Sequence, residues 1–149
     1  MERIITKKLT KIDIWTSRKK MLAQDAIKTN KAPFREIRQG DVFIVDFGEN
    51  IGFEINSDTR SNVRPAVVIS SKQMNKGIAI VAPMTSKKMD KIYAHEVPIY
   101  KKNYDFLKSD SKICLNMMRS VSTTRLREKW GTIDESTVEY IRNKLKSVF

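Results

Sequence analysis

One cysteine and one histidine in 149 residues remove several kinds of chemistry before any motif is sought. Cys114 cannot form an intrachain disulfide or anchor a cysteine-rich zinc site, and so sparse a use of thiols fits a reducing compartment. Between Ile113 and Leu115 it reads as a small core residue. His95 has only Glu96 beside it, and neighbours in a strand point to opposite faces, so no metal site and no Ser-His-acid triad is expected. The five glycines form neither a Walker nor a dinucleotide loop, and no G-x-S-x-G elbow occurs. No cofactor is therefore expected. No apolar run approaches the roughly 20 residues that span a bilayer, and the N-terminus is too polar for a signal-peptide core, so the expectation is a cytoplasmic protein without membrane contact.

Positive charge is what the chain has in excess. Lys and Arg total 29 against 17 acidic residues, a formal charge of +12 that favours polyanionic partners. Residues 1–38 hold eleven basic and four acidic residues, so the remainder is only moderately basic. With 40% apolar residues there is material for one core, and the division expected is a basic, partly helical extension over 1–38 followed by one globular domain over 39–149.

Within the extension, Ser17 to Lys28 has helical character, with Ser17 as N-cap and Trp15, Leu22 and Ala26 on one face, and Pro33 breaks it. Strand signals follow at "DVFIVDF" (41–47), "AVVIS" (66–70), "IAIVAPM" (78–84), "AHEVPIY" (94–100) and "KICLNMM" (112–118). Each is short, apolar or alternating, and bounded by turn formers, which predicts a small antiparallel barrel with helices rather than a βαβ fold. A polar stretch, 48–62, is longer than a hairpin needs and is either a functional loop or a surface insertion. At the end, Val138, Ile141, Leu145 and Val148 recur at helical spacing behind a capping box of Thr132 and Glu135, predicting a terminal helix docked on the sheet.

RNA is a polyanion that carries its own nucleophile, the 2′-hydroxyl. Its cleavage needs that group deprotonated, the phosphoryl oxygens stabilised and the 5′-oxygen protonated. With one histidine, the burden falls on Arg, Thr, Ser, Lys or Tyr acting by position and charge. Two stretches offer such groups. In "NVRPAVVIS" Arg64 stands before Pro65 and an apolar strand, either as a solvated loop charge or as a planar fork held ready for a phosphate. In "APMTSKK" Thr85 and Ser86 end a strand ahead of Lys87 and Lys88, as a turn or as convergent polar groups of a site.

The order "GDVFIVDF", polar loop, "VRPAVVIS", "IAIVAPMTS", "AHEVPI", "MMRSVSTTRL" and terminal helix resembles the MazF/PemK family of toxin endoribonucleases from about Gly40 onward. The resemblance implies a small SH3-like antiparallel barrel with added helices, shared with the gyrase poison CcdB and generally homodimeric. It also implies metal-independent, sequence-preferring cleavage of single-stranded RNA to a 2′,3′-cyclic phosphate and a 5′-hydroxyl. The family's catalytic arginine falls on Arg64 and its catalytic threonine on Thr85. On chemical grounds the expected RNA-binding set is Phe53, Glu54, Arg60, Ser86, Lys87, Lys88, Asn116 and Arg119.

Two departures stand out. Ile55 occupies the place where a glutamine is usual in the family's loop. Asn116 and Met117 stand where a glutamate-glutamine pair often precedes the arginine aligned with Arg119. Both bear on base preference. The implied partner is a cognate acidic antitoxin whose disordered tail lies along the RNA groove. The alternative from another class is a non-catalytic barrel that binds nucleic acid or inhibits a topoisomerase, a mode that does not need the Arg64 and Thr85 pair.

Overall fold

The computed structural model describes residues 1–29, 35–56 and 63–149. The chain begins with α1 (Glu2–Thr29), one helix of 28 residues and longer than the expected 17–28. Ser17 is therefore in mid-helix, not at its cap. No Gly or Pro interrupts the first turns, and Thr6, Thr10 and Thr16 return their hydroxyls to the carbonyls of Glu2, Thr6 and Ile12, so weak threonine propensity does not stop propagation. Trp15 and Leu22 are its buried residues, and Ala26 is half-buried beside them. The break expected at Pro33 lies outside the described residues.

Seven strands follow: β1 (Asp41–Val45), β2 (Arg64–Val68), β3 (Ile78–Thr85), β4 (Glu96–Ile99), β5 (Ser111–Cys114), β6 (Arg119–Ser122) and β7 (Leu126–Thr132), then α2 (Glu135–Val148). All pairings are antiparallel, in the order β4-β5-β3-β2-β1-β7, with β6 on β3. The architecture is mostly β with helices, as the sequence indicates, but among the described residues the ladder stays open, with β4 and β7 at its ends. The expected "KICLNMM" strand ends at Cys114 and passes into a 3-10 turn, Leu115–Met117. β6 and β7 escape an apolar-pattern reading because "RSVS" and "LREKWGT" bury only Val121 and Leu126.

The central strands read as continuous apolar runs because both faces are covered. Val42, Val67, Ala82 and Met84 enter one core with Ile113, Val97 and the α2 residues Val138 and Ile141. Phe43, Val45, Ala66, Val68 and Val81 enter another with Ile37, Phe47, Val121 and Leu126. α2 starts two residues later than the expected capping box: Asp134 is its N-cap, accepting the Thr137 N–H at 2.9 Å, while the Thr132 hydroxyl is spent on Asp41. Leu145 is half-buried on that core and Val148 is exposed.

β3 is the strand that places the site. One edge pairs with β2; the other pairs first with β6 at 78–81 and then with β5 at Met84 and Thr85. Its C-terminal end thus sits where two ladders diverge. Arg64, expected in a loop, is instead the first residue of β2.

Candidate active site

Strand register brings the two candidate groups together. Ala66 faces Pro83, and Val67 faces Ala82; continued by two residues, that register sets Arg64 opposite Thr85. Opposed residues in an antiparallel pair have Cβ atoms about 5 Å apart. Two residues 21 apart in sequence become cross-strand neighbours with rigid, buried backbone behind both.

The guanidinium of Arg64 is oriented by main-chain acceptors. Nε donates to the Asn56 carbonyl at 2.9 Å and Nη1 reaches the Met84 carbonyl at 3.4 Å. These bonds involve two of the five N–H donors and hold the plane of the fork. The Thr85 hydroxyl oxygen accepts the Lys87 N–H at 3.2 Å, which occupies a lone pair and leaves its own O–H able to donate to an anion. Both side chains are half-buried.

Below them lies a buried ion pair that sequence reasoning missed. Lys112 Nζ is 2.9 Å from Glu96 Oε2 and also donates to the carbonyls of Lys88 at 3.0 Å and Lys91 at 3.1 Å, so its three protons are satisfied. Burial pushes the Glu96 carboxyl up, but the Tyr93 N–H and the Lys112 ammonium outweigh it and the net shift is downward. The pair anchors the turn after β3, where Lys88 takes a left-handed φ of 55°. Lys87 and Lys88 are thereby held near Arg64 and Thr85. The only clue in the sequence was period-two alternation, which puts Lys112 on the opposite side of β5 from Ile113. Cys114 is buried as expected; burial, with the Glu96 charge adding to it, pushes its thiol up, so it stays protonated at neutral pH.

Four clefts line up through shared residues. One of about 250 Å³ contains Arg64, Thr85, Ser86 and Lys87 with Lys108 and Trp130. A second, about 270 Å³, shares Arg64, Thr85 and Lys87 and adds Lys88, Tyr93, His95 and Asn116. Through Ile55, Asn116 and Met117 it meets a third, which holds Phe53, Glu54 and Arg119. A fourth extends from the first through Pro65, Lys108 and Trp130 to Arg127. The structure therefore brings every expected site residue but one onto connected clefts; Arg60 lies outside the described residues. Phe53 is fully exposed, and the Glu54 carboxylate accepts the Ile51 N–H. Among the described residues no cluster of three metal-ligating side chains exists, and no helix is long and apolar enough to cross a membrane.

The N-terminal helix reaches this site. Lys8 of α1 pairs with Glu49 at 2.6 Å and donates to the Asn56 side chain at 3.3 Å, and it is the Asn56 carbonyl that receives Arg64. Arg18 pairs with buried Asp46 at 2.9 Å, and the Trp15 indole lies on Gly48.

Comparison with known proteins bears on family and fold. Residues 38–149 match the model of the PemK-like, MazF-like toxin of type II toxin-antitoxin systems. The chain is 37% identical over 112 residues to "Endoribonuclease MazF" of Staphylococcus epidermidis, spanning 73% of this chain and 88% of that protein. Its fold is similar to the crystal structure of MazF from Deinococcus radiodurans, with TM-score 0.62 and 22% identity over 77% of this chain and 97% of that one. It is also similar to a mycobacterial endoribonuclease in complex with its cognate antitoxin, with TM-score 0.55 and 12% identity over 74% and 92% of the two chains.

Proposed function

The chain belongs to the PemK-like, MazF-like toxin family of type II toxin-antitoxin systems, and from that premise we propose how its cleft cleaves RNA. The protein is a toxin endoribonuclease. The observation that carries the mechanism is the register of β2 against β3, which opposes Arg64 and Thr85 at the mouth of one cleft. The scissile phosphate sits between them. The 2′-oxygen attacks phosphorus as its proton passes to water, the bond to the 5′-oxygen breaks as that oxygen takes a proton from water, and a 2′,3′-cyclic phosphate and a 5′-hydroxyl result. Negative charge gathers on the non-bridging oxygens in the transition state, and a fixed guanidinium stabilises it there more than in the ground state. A guanidinium is a poor proton donor, so Arg64 acts by charge and by donated hydrogen bonds. Thr85 donates its O–H to the phosphate and fixes the in-line geometry. Ser86, Lys87 and Lys88 hold the flanking backbone.

The substrate is single-stranded RNA, cleaved without a metal ion or cofactor in the cytoplasm. The active species is a homodimer, and its natural inhibitor is a small acidic antitoxin laid along the same basic clefts. The test is cleavage of a long single-stranded RNA in excess EDTA. Arg64→Ala is expected to lower kcat by about 100-fold or more and Arg64→Lys to restore little, because a point charge cannot reproduce the fork. Thr85→Val, which keeps shape and removes the hydroxyl, is expected to lower kcat by about tenfold or more. A requirement for divalent metal, or full activity in both Arg64→Ala and Thr85→Val, overturns the mechanism.

A further inference from the structure

The cleft that holds Arg64 and Thr85 does not end at the residues assigned above. On the side away from Lys88 it runs into Trp130 of β7 and Lys108, and it opens past them onto a broader trough of about 540 Å³ that includes Arg127. Trp130 is half-buried, and its inner part packs on the core that contains Ile113 and Leu107. Lys108 Nζ sits over its ring, 5.3 Å from the centroid, so a base that stacks there displaces the ammonium toward the adjoining phosphate. A large aromatic surface, held rigid from behind and flanked by exposed ammonium and guanidinium groups, suits a nucleobase and its phosphate. One carboxylate, Glu128, also lines the trough, and Arg127 Nε lies 3.3 Å from the Asp46 carboxylate, so the flanking charge is mixed and Arg127 meets a phosphate through its remaining N–H donors.

The geometry points to a nucleotide subsite at Trp130, next to the scissile phosphate and on the opposite side of Arg64 from Lys88 and Asn116: the base stacks on the indole, and its phosphate meets Lys108 and Arg127. This rests on the placement of the scissile phosphate at Arg64 and Thr85. Pro65, Lys108 and Trp130 are common to both clefts, so the RNA strand crosses from one to the other past the Lys108 ammonium. Substrate is thereby gripped on both sides of the bond to be broken, which holds the attacking and leaving oxygens in line.

The probe is a short, mixed-sequence single-stranded RNA with every 2′-hydroxyl methylated, which binds but offers no nucleophile. It is expected to quench the intrinsic fluorescence of the full chain, and Trp130→Phe is expected to abolish that quenching, because Trp15, the other indole, is buried between α1 and Gly48. Trp130→Ala weakens binding by about tenfold. Lys108→Ala reduces the slope of log affinity against log salt by about 0.7. Arg64→Ala and Thr85→Val bind the probe more weakly but still show quenching at saturating probe, and both cleave unmodified RNA more slowly. Quenching that persists in Trp130→Phe, or unchanged affinity in Trp130→Ala together with an unchanged salt slope in Lys108→Ala, overturns the subsite. Undiminished cleavage by Arg64→Ala overturns the catalytic assignment instead, so the two failures are separable.

Discussion

Lys112 and Glu96 are nearly sealed from solvent, and at this scale charge balance decides stability. Glu96 has an ordinary pKa of 4.5 when unfolded and a lower one when folded, so its ionisation stabilises the fold fully above about that pH. That stability is lost as pH falls through the lowered folded value. Lys112→Met removes the partner and leaves a buried carboxylate, which is expected to cost about 3–5 kcal/mol. The pH dependence then flattens: burial still raises the Glu96 carboxyl and only the Tyr93 N–H remains to oppose it strongly, so the variant loses less stability on acidification toward pH 4.5 than wild type does. Lys112→Met combined with Glu96→Gln removes the orphaned charge and recovers part of the loss. Urea denaturation of the three proteins between pH 4 and pH 7 measures all of this, and a Lys112→Met variant that weakens on acidification as steeply as wild type would count against the pair as the cause.

At the scale of elements, α1 is a strap as well as an extension. Gly48 has a φ of +75°, and a Cβ there would lie 2.0 Å from a Trp15 ring carbon, so this position needs glycine for its backbone and again for its neighbour. The Arg125 guanidinium lies 5.7 Å from the Trp15 ring centroid and donates to the Asp46 carbonyl, tying helix, loop and sheet into one contact. Gly48→Ala is expected to release α1 and make it the first point of cleavage in limited proteolysis, with the sheet intact. Because Lys8 holds Asn56, and Asn56 receives Arg64, release also lowers kcat for RNA cleavage. Lys8→Ala reproduces the kinetic defect at unchanged proteolytic resistance, with KM moving less than kcat. Equal kcat in wild type and Lys8→Ala would show that α1 docks without positioning Arg64.

For the whole molecule, the question is where the folding unit begins. We propose that 1–34 is an accessory segment and that the residues from Arg35 onward belong to the toxin fold. Ile37 is buried in the second core, and Arg35 lies 4.5 Å from the Phe43 ring centroid while donating to the carbonyls of Leu126 and Arg127. A chain beginning at Arg35 is expected to unfold cooperatively. One beginning at Gln39 loses the Ile37 side chain from its core and is less stable by about 2–5 kcal/mol. Thermal unfolding of the two truncations decides it, and equal stability would place the boundary at 38. The formal charge of +12 is also a property of the whole chain, and it makes RNA binding salt-sensitive wherever the individual contacts fall.

The sequence by itself determined the strand-rich class, the terminal helix and the chemistry excluded by one histidine and one cysteine, because apolar period and residue type are local properties. It also marked Arg64 and Thr85, through Pro65 and the buried run behind one and the strand end beneath the other. Only the tertiary structure decided that they face each other, since strand register is set by packing over both cores and not by either strand alone. The polar strands β6 and β7, the buried Lys112, and Trp130 at the end of the cleft were illegible for the same reason: each is stabilised by neighbours distant in the chain. The length of α1 belongs with them. Its anchors, Asp46, Gly48 and Glu49, lie beyond the helix itself, and a helix stabilised from outside leaves no trace in its own periodicity.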